Sequence, residues 1–432
     1  MTVTDAAAVE QFILNLGQAQ LASGYPVDDV TSTLDQVARA YGRADLELFV
    51  LPNAVMVDDP AAGRARVIAE GTNALRLDQA AQVHQVAQRA REGAISPEEG
   101  LRSLEQIRDE KPRFPDWVRV FGYALAAAGF ALVFRVSLWG IGMAFAGGLF
   151  VGTLIVLTRD RPNIAPLVPP FAAFVCAFSI FGFASLIDSD VQPLRVVAAP
   201  LIALIPGAAL TRGTQELASG HIISGSSRLI AAIVQILVLT FGILFGALLA
   251  KVSPYDLGDL TENRLPMWVA WIGAAIYAVG QALAFNEPKG AVRYVVFLLL
   301  VAFSIQQLVS WQMDAVLAAG IAAAVSLFLA LLIQDRITTG PPAFVLFTPV
   351  FWLLVPGSLG LVGIAEAVTG TGDTATSTTT SATTSLTSSL DAISVGSDTS
   401  VVLLAGASII AITIGMQIAS VAGRLIKPRQ TP

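Results

Sequence analysis

The sequence predicts an all-α polytopic membrane protein, ten transmembrane helices in two inverted five-helix repeats, with a small soluble α+β domain in front. Three observations carry that reading. Charge is unevenly divided: residues 1–114 hold 28 of the 58 Asp, Glu, Lys and Arg residues, and residues 115–432 hold the other 30. The first part is thus about a quarter charged, as soluble domains are, and the second under a tenth. The second part is also a succession of apolar runs near twenty residues long. Finally, one apolar run recurs later in the chain with its Pro, Trp and Gly residues in register.

The soluble part (1–114) shows helical spacing at Val9, Phe12, Ile13 and Leu16, and again at Val30, Leu34, Val37 and Tyr41. Short β-prone runs follow at Leu46–Leu51, Ala54–Val57 and Arg66–Ala69. Helical spacing returns at Leu77, Ala80, Val83 and Ala87, then at Leu101, Leu104 and Ile107. Ser96-Pro97-Glu98-Glu99 is a helix start, with Ser96 as N-cap and Pro97 in the first position. His84 lies on a helix with no nucleophile motif near it and reads as a solvated side chain. Nothing here specifies catalysis.

Composition closes several other routes. All of the net charge, −6, belongs to the soluble part, and neither part has the basic excess that nucleic-acid binding needs. Cys176 stands alone and the histidines are only His84 and His221, so neither a disulfide nor a Cys/His metal cluster is expected. No phosphate-binding G-x-x-x-x-G-K-[ST] motif occurs and no cofactor is implied. No basic residue precedes Arg39, so no cleaved leader is expected.

The ten spans fall at about 116–134, 137–158, 163–187, 192–211, 229–250, 266–285, 290–310, 314–334, 341–366 and 400–422. Gly148/Gly152 and Gly242/Gly246 are small-residue pairs that allow close helix approach. A cytoplasmic N-terminal domain puts ten basic residues on inner connections, among them Arg159, Arg212, Arg228, Lys289 and Arg336, against four outside. That bias places both termini in the cytoplasm. Residues 371–400, rich in Ser and Thr, become an outer loop.

The repeat relates Pro115–Phe134 (PDWVRVFGYALAAAGFALVF) to Pro266–Phe285 (PMWVAWIGAAIYAVGQALAF), with ten of twenty positions identical. A second match relates PGAALTRGTQELASG, from Pro206, to PGSLGLVGIAEAVTG, from Pro356; both fit P-G-x5-G-x2-E-x3-G. The membrane halves are then 115–251 and 266–425. Five spans per half is odd, so the second half enters from the opposite side, an inverted repeat of the kind secondary transporters use.

Pro206-Gly207 and Pro356-Gly357 interrupt spans four and nine at matching places. Pro removes an N–H and clashes with the preceding turn; Gly lets the chain reverse locally. A broken helix offers an N–H end to an anion and a carbonyl end to a cation, and an amino-acid zwitterion carries both. Pro206, Gly207, Pro356 and Gly357, with the following Gly213 and Gly363, are therefore the substrate-binding candidates. Glu216 and Glu366, ten residues beyond each Pro, are the proton-coupling candidates, because an acid at membrane depth is costly and usually functional. Arg212, one turn before Glu216, can pair with it. The alternative is that the Pro residues only kink their helices and the acids reach interfacial water.

These residues resemble a known family. The soluble domain, the two five-span halves and the paired PGAALTRGTQEL and PGSLGLVGIAEA segments look like the threonine/serine exporters, over about Ala8 to Ala422. The resemblance implies a bacterial plasma-membrane exporter of threonine and serine driven by protons, with a homo-oligomer left open. The halves are also similar to a pair of separate bacterial proteins associated with dicarboxylate export. A succinate-like substrate is thus the alternative within transport, and a membrane sensor with a cytoplasmic signalling domain is the alternative outside it. No residue-level substrate assignment comes with the resemblance.

Overall fold

The structure is a computed structural model that describes residues 3–69, 74–161, 163–186, 193–251, 265–336, 341–354 and 399–426. The chain divides into two compact units. The first comprises Met1–Arg113 together with Arg212–Ile230 and Phe285–Lys289; the second comprises the remainder. The first unit therefore extends beyond residues 1–114 and includes two segments that the sequence places between spans.

In the first unit, α1 (Val3–Ala22) and α2 (Val27–Ala40) precede an antiparallel sheet in the order β1 (Glu47–Leu51), β2 (Ala54–Asp59), β3 (Arg64–Ala69). α3 (Leu77–Arg91) and α4 (Pro97–Asp109) follow, giving the expected order of elements. α1 is the centre: it packs on α2, α3, α4 and the sheet, and Phe12, Ile13 and Leu16 are wholly buried. α4 starts as its sequence dictates, with the Ser96 hydroxyl accepting from the Glu99 N–H at 3.2 Å. Arg43 ties the unit together, reaching Asp59 at 2.8 Å, Asp45 at 3.0 Å and Glu10 at 3.5 Å. His84 is not simply solvated: its Nδ1 lies 3.1 Å from the Tyr25 hydroxyl, and the rings are parallel.

The second unit contains α5 (Asp116–Val133), α6 (Leu138–Thr158), α7 (Val168–Leu186) and α8 (Pro193–Leu201). α9 (Gly207–Ala218) and α10 (Ile222–Leu249) bridge the division of the chain. α11 (Trp268–Ala284), α12 (Ala291–Ser310), α13 (Ala315–Arg336), α14 (Ala343–Leu354) and α15 (Thr399–Ile426) complete it. Among the described residues, seven helices are long and apolar enough to cross a membrane. They match spans one, two, three, five, seven, eight and ten. Span six is shorter than expected, 17 residues or about 26 Å of helix. Span nine is described only over Ala343–Leu354, and span four is interrupted. Faces of these helices turned away from the protein are apolar: α10 shows Ile230, Val234, Leu237, Phe241 and Leu248. Trp117, Trp139, Trp268 and Trp311 lie exposed at helix ends, where an aromatic belt belongs.

Small residues set the packing. A Cβ on Gly148 would meet the backbone of Ala124 at 2.7 Å, and one on Gly246 would meet the Phe174 carbonyl at 2.7 Å, so both anticipated glycine pairs are close-approach points. α5 and α11, the two copies of the repeated segment, pack on each other antiparallel. A Cβ on Gly122 would lie 2.9 Å from the Gly280 oxygen, and one on Gly280 2.8 Å from the Gly122 oxygen. Gly129 and Gly273 show the same reciprocity, at 2.8 and 2.7 Å. Neighbours also correspond: α6 packs on α7 and α8 as α12 packs on α13 and α14, and α7 packs on α8 as α13 does on α14.

Candidate functional site

Span four is broken where its sequence says it must be. α8 ends at Leu201, the chain is non-helical over 202–206, and α9 begins at Gly207. Pro206 has no N–H to continue a helix, and its carbonyl instead accepts from Leu210 at 3.1 Å, opening α9. The end of α8 is tightened by Leu204 and Ile205, whose N–H groups both reach the Leu201 carbonyl, at 2.8 and 3.2 Å. The Leu204 carbonyl points out of this turn and accepts from the Gln235 side-chain amide of α10 at 2.6 Å. Leu201, Leu204 and Ile205 are buried, so the break is an interior feature. One turn into α9, Thr211 is wholly buried and its hydroxyl has no hydrogen-bond partner among the described residues. The arrangement therefore offers, in sequence, a carbonyl-bearing helix end, a turn of apolar side chains and a helix N-terminus. Such ends carry partial charges of roughly −0.5 and +0.5.

Gly213 sits on the packing side of α9. A Cβ there would meet the Gly225 oxygen at 2.9 Å and the Leu229 side chain at 2.9 Å, so its smallness lets α9 and α10 fold back on each other. That hairpin brings Arg228 to Glu216. The carboxylate is fully buried; its Oε2 accepts from Arg228 Nε at 3.1 Å, and its Oε1 accepts from the Val27 backbone N–H at 3.1 Å. Val27 opens α2, whose Pro26 can offer no side-chain cap, so Glu216 supplies the missing acceptor at that helix N-terminus. Both oxygens are thus committed to protein partners.

Arg212 is seated against Gly24. That glycine has φ +82°, a backbone conformation that favours glycine, and a Cβ on it would lie 2.6 Å from Arg212 Nη1. Burial pulls the Arg212 guanidinium down to about 10, with the like charge of Arg228 adding and Glu216 opposing. The spacing of Arg212 and Glu216 suggested their pairing, but the hydrogen-bonded partner of Glu216 is Arg228, twelve residues on, which sequence spacing did not indicate. Of the remaining candidates, Pro356, Gly357, Gly363 and Glu366 lie outside the described residues, as does the Ser/Thr-rich segment. Among the described residues no group of three His, Cys, Asp or Glu side chains could hold a metal ion.

Residues 11–250, which take in most of the N-terminal domain and the interrupted span, match the model of the family described as "Putative threonine/serine exporter". The chain belongs to this family. It is also similar to the "Pheromone-regulated membrane protein 10" of several yeasts. The Eremothecium gossypii protein is 26% identical over 294 residues, which is 66% of this chain and 40% of that protein. The Kluyveromyces lactis protein is 24% identical over 294 residues, 66% of this chain and 31% of that one. The Candida albicans protein is 25% identical over 253 residues, 57% of this chain and 23% of that one. The chain thus spans less than half the length of these relatives. No solved structure matches it.

Proposed function

We propose that this membrane protein is a secondary exporter of small neutral amino acids, threonine and serine, working by alternating access around its interrupted fourth span. The observation that carries this reading is the buried break at 202–206 inside the region that matches the exporter family. A zwitterion finds complementary partial charges at the two helix ends, with the Thr211 hydroxyl one turn away as a polar contact. The reciprocal contacts between α5 and α11 support an inverted repeat, because a pseudo-two-fold axis turns Gly122 on Gly280 into Gly273 on Gly129.

The proposed orientation has the soluble unit in the cytoplasm of a bacterial cell. Arg212–Ile230 and Phe285–Lys289, the connections assigned to the inner side by their basic residues, fold with that unit, which supports it. Proton coupling falls to Glu366, with Glu216 acting as the clasp on α2. One proton is enough: entry at ~100 mV yields about 2.3 kcal/mol. A hundredfold outward gradient costs about 2.7, and half a pH unit supplies roughly 0.7 more. Counterflow of labelled threonine, serine and succinate into proteoliposomes tests the reading. Threonine and serine exchange without succinate supports it; succinate exchange alone makes the protein a dicarboxylate carrier, and no exchange of any of them favours a sensor.

A further inference from the structure

Residues 285–289 join α11 to α12 and fold within the soluble unit. Asn286 turns the chain through the left-handed region at φ 54°, and Arg113 donates from Nη1 to the Glu287 carbonyl at 3.0 Å. The Glu287 side chain that follows is fully buried, and neither carboxyl oxygen has a hydrogen-bond partner among the described residues. The group bearing on it is another acid, Asp78 in the first turn of α3. The nearby cations are otherwise engaged. Arg76 is bound to Asp78 at 3.0 Å and to the Glu110 carbonyl at 3.0 Å, Arg113 donates to the Glu287 backbone carbonyl, and Lys289 is exposed. Glu110, at the end of α4, adds further negative charge next to Asp78. A buried carboxylate with no hydrogen-bond donor among the described residues and an acid beside it is far less favourable than the neutral acid.

We propose that Glu287 is a proton-binding site of the soluble unit, occupied at neutral pH and emptied as the surroundings turn alkaline, and that losing the proton unseats the 285–289 turn. Burial, reinforced by the charge of Asp78, pushes the carboxyl up to about 8, so occupancy changes just above neutrality. The sign follows from linkage. The unfolded chain releases this proton near the ordinary glutamate value of about 4.3, whereas the folded chain keeps it. The contribution of Glu287 to stability is therefore fully present below that value and is lost as pH rises toward 8. The ligand is the proton itself, and the titration stands whatever the protein carries. Only its consequence, export that responds to internal pH, rests on the exporter reading.

The test uses the full chain in lipid nanodiscs, observed by infrared titration between about pH 6 and 9 and by hydrogen exchange of the segment covering residues 285–290. A protonated-carboxyl C=O band should fade with a midpoint near 8, and Glu287→Gln should remove it. Exchange of the turn should rise through the same range beyond its intrinsic base-catalysed increase, and Glu287→Gln should abolish that extra rise. Asp78→Asn, which takes away the neighbouring charge, should lower the midpoint by about half a pH unit or more, and it decides the matter if the Gln variant misfolds. A carboxyl band insensitive to both substitutions, or turn exchange identical in wild type and Glu287→Gln, would overturn the site. Transport assays form a separate arm: an intact titration without threonine export counts against the exporter reading and leaves the proton site standing.

Discussion

The two units bury large side chains alike but differ in what makes their closest contacts. The first unit buries Phe12, Ile13, Leu16 and Leu34 and ties a buried charge cluster together, with Arg43 between Glu10 and Asp59. The membrane unit brings Gly and Ala inward between α5 and α11 and turns Phe241 and Leu248 outward. Water drives the first pattern. Lipid tails are as apolar as leucine, so in the second unit hydrophobicity no longer separates inside from outside, and the closest helix approaches are made by small residues.

The comparison breaks most readily at a glycine. Gly129→Leu places a side chain against the α11 backbone at Tyr277 and should destroy the α5–α11 contact, whereas Gly142→Leu enters open space. Overpacking costs typically ~1–3 kcal/mol, and more where the neighbour is backbone that cannot yield. Size-exclusion profiles and thermal melting in detergent should show Gly129→Leu aggregated or sharply less stable and Gly142→Leu near wild type. Equal behaviour would mean that small residues do not organise the membrane unit.

In the soluble unit the equivalent weak point is charge. Arg43→Met leaves Glu10 and Asp59 buried without their partner and should cost about 3–5 kcal/mol, measured by proteolytic susceptibility across a urea series. The same cluster sets an acid limit. Burial alone raises Asp59, but the Arg43 hydrogen bond and the Ala62 N–H outweigh it, and the carboxyl lies below its usual range. Asp45 is lowered by its Arg43 hydrogen bond. Folded values below the unfolded ones mean stability that is complete above about pH 4 and lost as pH falls through the folded values. Arg43→Met should flatten that acid limb.

Smaller effects should follow at the clasp and the cap. Glu216→Gln keeps the shape but removes the charge facing Arg228, and should cost about 1–3 kcal/mol with increased proteolysis of the α1–α2 turn. Ser96→Ala removes one N-terminal acceptor of α4 and should cost about 1 kcal/mol by the same urea assay.

Local rules were readable wherever the determinants lie close in sequence. The Ser96 cap, the three strands, the break at Pro206-Gly207 and the close approaches at Gly148 and Gly246 all follow from a few adjacent residues. What escaped depends on distant segments. Glu216 meets Arg228 only because a hairpin forms, and Val27 only because Arg212–Ile230 folds with the first unit. Glu287, in Phe-Asn-Glu-Pro-Lys, reads as an ordinary polar turn; its burial against a region near Asp78 and Arg113 leaves no local trace. Span six falls short of 266–285 at both ends, its helix starting only at Trp268 and stopping at Ala284, just before the left-handed Asn286.

The central claim is that the broken fourth span is the working element of an amino-acid exporter. Labelled-threonine counterflow in proteoliposomes, comparing wild type with the Pro206-Gly207→Ala-Ala double variant, tests it most directly. The variant should stay folded, since Pro within a helix costs about 3 kcal/mol, yet a continuous helix buries the N–H and carbonyl groups proposed to hold the zwitterion. The expected result is robust exchange by the wild type and none by the folded variant. Exchange at the wild-type rate in the variant would contradict the account and reduce the break to a kink.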